Sequence, residues 1–172
     1  MLKGTRVTLR VITRDDLPRY VEWLSDIEVT EHLDTYLPFS MDDETDWYEA
    51  QRKDSSTHNF AIETETGKHI GGVGLMQIDH RLQSTELGII IGDKTEWNKG
   101  YGKEAIGLVL DFAFGTLNLH RVQLRVNCNH PPAIACYEHS GFVREGELRQ
   151  AIFLHGKFFN QYIMSVLRNE YT

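Results

Sequence analysis

The chain has 172 residues, 41% hydrophobic and 25% charged, with 25 acidic against 18 basic side chains and a formal net charge of -7. This composition suits one globular domain over 1-172 and excludes a disordered chain. No Lys/Arg-rich stretch offers a nucleic-acid face, no apolar run reaches membrane-spanning length, and Met1 to Arg6 holds no apolar leader, so a cytoplasmic protein with neither nucleic acid nor membrane as partner is expected.

Arg6 to Val11 alternates, with Val7, Leu9 and Val11 on one face of a half-buried strand. Thr13 then precedes Arg14-Asp15-Asp16 as an N-cap with an acidic first turn, and Leu17, Tyr20, Val21 and Leu24 follow at helical spacing. Residues 30–40 read as a loop. Ser40 with Asp43 forms a capping pattern that opens a second helix through about Arg52. The acidic cluster of Asp42, Asp43, Glu44 and Asp46 reads as a solvated helix start.

Strands are predicted over Asn59–Glu63 and His69–Ile78, joined by the Thr66-Gly67-Lys68 turn. Gly71, Gly72 and Gly74 in the second strand imply close backbone approach or a bulge. Thr85 to Gly92 is apolar enough for a central strand. A broad apolar stripe predicts a helix from Gly102 to about Leu117, stopped by Asn118. Arg121 to Asn127 alternates again, giving a β-α-β crossover and hence a parallel pair. Pro131 and Pro132 fit a first helical turn, and that helix stops at Gly141. Strands near 142–153 and 159–167 close the chain through His155-Gly156-Lys157. The fold class is α+β, a mostly antiparallel sheet with one parallel crossover.

One junction carries chemistry. Trp97-Asn98-Lys99-Gly100-Tyr101-Gly102 follows an apolar strand and opens a long apolar helix. Gly100 and Gly102 let the backbone approach a ligand, and the free N–H groups of the first helical turn favour an anion such as a pyrophosphate. The same spacing serves equally as a structural turn. It lacks the third glycine of a dinucleotide fingerprint, and Glu104 stands where a Walker loop needs Ser or Thr. Cys128 and Cys136 form neither a disulfide framework nor a zinc pattern, so no metal is expected.

The run Glu96 to Ala105 resembles the acetyl-CoA-binding motif of the GNAT N-acetyltransferase superfamily, more closely its RimJ/RimL branch. Downstream, Asn129 to Phe142 is similar to the N-x-x-[SA]-x-x-x-Y-x-x-x-G-F pattern of the family. The resemblance covers essentially the whole chain and implies a mixed, seven-stranded sheet flanked by helices. It implies acetyl-CoA as co-substrate and an N-acetyltransferase that acts by direct attack in a ternary complex. By that likeness Ile89, Ile90 and Ile91 lie where strands splay at a bulge and serve the pantetheine arm. Trp97, Asn98, Lys99, Gly100, Tyr101 and Gly102 hold the pyrophosphate, Asn129 contacts the cofactor near the thioester, and Tyr137 protonates the departing thiolate.

A phenol of pKa about 10 lies close enough to a thiolate of pKa about 8.5 for transfer once positioned. Tyr137 also sits at helix spacing with Ile134 and Gly141, as a packing residue would. Glu86 is the candidate base for the substrate ammonium, with an exposed or amine-orienting glutamate as the other reading. Asn98 departs from the glycine usual at its position. The acceptor is a primary amine, either a peptide N-terminus or a small amine. The segments Gly146-Glu147-Leu148 and Phe153 to Lys157 resemble bacterial spermidine acetyltransferases, whereas Gly74 and Gln77 stand where those enzymes carry acids. A non-catalytic acyl-CoA-binding module is the alternative of another class. Homodimers are common among such relatives.

Overall fold

The computed structural model describes all 172 residues. In chain order, strands β1 (Leu2–Lys3) and β2 (Val7–Val11) precede helices α1 (Leu17–Leu24), α2 (Ile27–Thr30) and α3 (Met41–Lys53). Strands β3 (His58–Thr64), β4 (His69–Asp79) and β5 (Ser84–Ile91) follow, then α4 (Tyr101–Asp111), β6 (Arg121–Asn127), α5 (Pro131–His139), β7 (Val143–Leu154) and β8 (Lys157–Leu167). All eight strands form one sheet in the order β1-β2-β3-β4-β5-β6-β8-β7. The only parallel neighbours are β5 and β6, joined through α4 as the crossover pattern requires.

The sheet has eight strands instead of seven. The additional one is β1, whose two residues pair antiparallel with Leu9 and Thr8, and two residues carry no periodicity. The long helix also differs from its expected extent: α4 ends at Asp111, and a π-helical turn over Phe112–Thr116 leads to Asn118 at φ 55°. Asn tolerates that left-handed conformation, which ends the helix.

Helix starts follow their caps. The Asp43 N–H donates to Ser40 Oγ (3.1 Å), while the Ser40 N–H donates to Asp43 Oδ2 (2.9 Å). Thr13 caps a one-turn 3-10 segment, Arg14–Asp16, ahead of α1, and its N–H donates to Asp16 Oδ2 (2.8 Å). Alternation along the strands divides the core between two faces. Val7, Leu9, Ile62, Val73, Leu75 and Leu87 point to one face, with Ile106, Val109 and Leu110 of α4. Ile12, Ala61 and the partly buried Ile90 point to the other, with Leu17, Tyr20 and Trp23 of α1 and Tyr48 of α3.

Candidate active site

Parallel pairing between β5 and β6 covers only Ser84↔Arg121, Thr85↔Val122 and Glu86↔Gln123. Beyond Glu86 the two strands part, although β5 stays in register with β4 up to Gly71↔Ile91 and β6 with β8 up to Asn127↔Gln161. The result is a V-shaped opening whose arms, Leu87–Ile91 and Leu124–Asn127, lack a strand partner on their facing edges. The splay therefore exists where expected, at Ile89, Ile90 and Ile91, but no bulge in β5 makes it. The irregularity lies in β4, between Met76 and Asp79, where Gln77 takes φ 51°.

The glycine turn stands at the mouth of this V. Gly100 caps α4 at φ 85°, ψ 1°, a conformation that favours glycine. Asn98 adopts φ 60°, so the departure from glycine keeps the left-handed bend. A Cβ on Gly102 would meet only Ile89 Cδ1 and Ile91 Cγ1, both at 3.9 Å. No protein atom demands glycine there, and its missing side chain leaves room for a ligand on the first turn of α4. These features fit a pyrophosphate.

Surrounding groups fix the loop. Lys68 Nζ bridges Asp93 Oδ2 and Glu96 Oε1, both at 2.8 Å, and Lys99 Nζ meets Glu96 Oε2 at 2.9 Å. Trp97 Nε1 donates to the Ile91 carbonyl (2.7 Å), tying the loop to the arm of the V. Arg6 donates to the Lys99 carbonyl (2.9 Å) and lies over the Tyr101 ring, 5.1 Å from its centroid. Glu104 accepts from the backbone N–H groups of Arg6 (2.7 Å) and Val7 (3.2 Å), joining α4 to β2.

Tyr137 lies on α5, half-buried against the α4-side core, with its ring 5.9 Å from that of Phe142. Burial pushes its phenol well above the usual tyrosine range. A phenol is already a weaker acid than a thiol, by roughly 2 kcal/mol for transfer between their ordinary pKa values. The same burial also raises the thiol of the adjacent Cys136.

Asn129 is exposed in the turn between β6 and α5. The family spacing sets its asparagine seven residues before the tyrosine; Asn129 is eight before Tyr137, and His130 is seven. His130 is the N-cap residue of α5, stacked on His32 at 3.9 Å between ring centroids. Desolvation and the neighbouring His32 hold His130 down at about 4, so it is a neutral imidazole at pH 7. The buried asparagine is instead Asn127, whose Nδ2 donates to the His32 carbonyl (2.8 Å).

Glu86 occupies the last parallel pair, at the vertex of the V, opposite Met76 in β4. Leu87 belongs to the α4-side core and Ile90 packs on the α1–α3 side, so alternation puts Glu86, Gly88 and Ile90 on the latter face. A cleft of about 240 Å³ opens there, lined by Tyr20, Leu33, Trp47, Met76, Gly88 and Ile90 among others. The turn and Tyr137 thus lie on the α4 face and Glu86 on the opposite one, with the V between them.

The supports were not legible: Arg6 and Lys68 reach the turn from distant segments, which no local pattern marks, and they meet Glu104 and Asp93, which flank the turn in sequence. Sequence reasoning also misplaced Glu44. Asp42, Asp43 and Asp46 are exposed as expected, but Glu44 is 3% exposed, and desolvation raises its carboxyl to about 7. Glu44 and Tyr48, one turn apart, form the buried stripe of α3, a spacing that could have flagged it.

A split parallel pair, with a glycine-capped helix N-terminus on one face and a cleft on the other, is an arrangement that suits a nucleotide-bearing group-transfer donor. The model of the acetyltransferase (GNAT) domain family matches residues 6–143, and the chain belongs to that family. It is 31% identical over 172 residues to the spermidine N(1)-acetyltransferase of Vibrio cholerae, covering 98% of this chain and 96% of that protein. Identity to the Escherichia coli K12 enzyme of the same name is 32% over 166 residues, covering 96% and 88%. The crystal structure of the Vibrio cholerae spermidine N-acetyltransferase with CoA and spermine superposes with a TM-score of 0.91 at 30% identity, over 98% of this chain and 99% of that one. The protein is an N-acetyltransferase, and acetyl-CoA is its co-substrate.

Proposed function

We propose that the chain acetylates a primary amine by direct attack in a ternary complex, with the amine and the acyl donor meeting across the V from opposite faces of the sheet. The observation that carries this reading is the end of β5–β6 pairing at Glu86↔Gln123, which opens the sheet between the glycine turn and the Glu86-side cleft. Bound acetyl-CoA supplies an activated thioester. The N–H groups at the start of α4, with Trp97 to Gly102, hold the pyrophosphate, and the free edges of Ile89, Ile90 and Ile91 align the pantetheine arm. Asn129, or His130 beside it at the family spacing from Tyr137, contacts the cofactor near the thioester. Glu86 takes a proton from the substrate ammonium, directly or through water, and exposes its lone pair. Tyr137 delivers its hydroxyl proton to the departing sulfur.

Acetyl-CoA thiol release tests these roles. Tyr137→Phe is expected to lower kcat by about 100-fold, the lower end for a positioned acid, while CoA affinity stays within about twofold. Glu86→Gln is expected to lower kcat/KM about tenfold at pH 7 and to recover as the pH approaches the amine's own pKa. Unchanged kcat in Tyr137→Phe, or a pH-independent loss in Glu86→Gln, would refute the assignment of that residue.

A further inference from the structure

We propose that the acceptor is a monoamine carried on an apolar body, of the arylalkylamine class, and not a polyamine. The inference rests on the reading above that the amine enters on the Glu86 face. The wall of the cleft there is Tyr20, Leu24, Leu33, Trp47 and Ile90, and its floor is the run of glycines Gly72, Gly74 and Gly88 beside Met76. Those floor residues are register partners on adjacent strands, Gly72↔Ile90, Gly74↔Gly88 and Met76↔Glu86. Tyr20 packs over Gly72, Asn59 over Gly74 and Met76 over Gly88, so the glycines make room for these side chains, with Glu86 next in line at one end.

No aspartate, glutamate, lysine, arginine or histidine lines the cleft. Its polar side chains are Asn59, bonded to Gln51 Oε1 (3.4 Å), and Tyr20, whose hydroxyl donates to the Gly71 carbonyl (3.4 Å). Asp16 and Glu44 act electrostatically on Tyr20, but neither forms part of the wall, and Glu31 and Asp34 on the neighbouring loop are exposed. One carboxylate at one end can hold one ammonium. The other ammonium groups of a polyamine would be desolvated against leucine, isoleucine and tryptophan with no counter-charge, which is strongly unfavourable. A flat aromatic or branched alkyl body gains from the same surfaces.

The test is acetyl-CoA thiol release by the full chain with 2-phenylethylamine, isoamylamine, putrescine, spermidine, spermine and an apolar N-terminal dipeptide. The expected result is kcat/KM for 2-phenylethylamine at least tenfold above that for spermidine. Leu33→Glu, which adds a carboxylate to the wall from a partly buried loop position, is expected to reduce that ratio at least tenfold, whereas Leu33→Gln leaves it within about threefold. Preference of the unaltered chain for spermidine, spermine, putrescine or the dipeptide overturns the inference while leaving the acetyltransferase roles standing. Turnover of none of the amines, with CoA bound normally, also overturns it. Failure to bind CoA would overturn the cofactor-site reading beneath it as well.

Discussion

Burial sets the behaviour of Glu44 more than any neighbour does: desolvation raises its carboxyl from 4.5 to about 7, and no ion pair or hydrogen bond offsets it. Between those values the folded chain holds a proton that the unfolded chain has lost. Its contribution to stability is therefore greatest below about 4.5, falls as pH rises to about 7, and stays at the lower level above. The gap corresponds to roughly 3 kcal/mol. Glu44→Gln should stabilise the protein by about 2–3 kcal/mol at pH 8 and by almost nothing at pH 4.5. Urea melts at the two pH values measure this, and equal effects at both would refute it. Gly100→Ala acts differently, because φ of 85° strains any side chain there and the new Cβ would lie 3.0 Å from the Arg6 guanidinium. The expected cost is about 1–2 kcal/mol, with CoA affinity weakened at least tenfold because the distorted residue caps α4. Thermal melts and calorimetric CoA titration measure the two effects. The sequence made Gly100 visible because a glycine pair before an apolar helix is a local pattern. Glu44 left only the faint signal of its spacing from Tyr48, because its burial depends on how α3 meets α1.

The elements depend on a few charged groups that join distant segments. Asp16 accepts two hydrogen bonds from Arg10 (2.7 and 2.8 Å) and one from the Thr13 N–H, so it links β2 to the start of α1. Arg10 also reaches Glu63 on β3 through its Nε (2.6 Å). Burial alone would raise the Asp16 carboxyl, but the bonds from Arg10 and Thr13 outweigh it and hold it at about 2. That stability is present above about 3.8 and is lost as pH falls through about 2. Asp16→Asn removes the charge that Arg10 is built around and should cost about 3 kcal/mol at pH 7. Because the wild-type carboxylate is itself neutralised below pH 2, the difference between the two proteins should shrink as pH falls from 4 toward 2. Denaturant midpoints across that range would show it, and a constant difference would mean that packing, not charge, holds the junction. The Thr13 cap and the Ser40 cap were legible because capping residues lie within one turn of each other. Arg10, 53 residues from Glu63, was not, since only strand pairing brings them together.

At the scale of the whole molecule, the sheet is continuous except for one opening, and this leaves a measurable mark in hydrogen exchange. The alternating strands, the crossover helix and the order of the two motifs were enough to read the α+β class and the β5–α4–β6 unit. The family resemblance, and not the pattern of β5 or β6 itself, put the splay at Ile89 to Ile91; the last pair at Glu86 depends on the geometry of the sheet. Their pairing stops at Glu86↔Gln123, whereas the outer edges of both strands remain bonded to β4 and β8. Amides of Leu87–Ile91 and Leu124–Asn127 that face the opening have no strand partner and should exchange faster than neighbours bonded to β4 or β8. If the acyl donor lies along this edge, saturating CoA should slow exchange in peptides covering 87–91 and 98–104 by about tenfold or more. Peptides from β2 and β3, on the far side of the sheet, should change little. Protection of 98–104 alone would restrict the binding site to the glycine turn and remove Ile89, Ile90 and Ile91 from it. Protection spread evenly over the sheet would signal general stabilisation by ligand and not a bound edge.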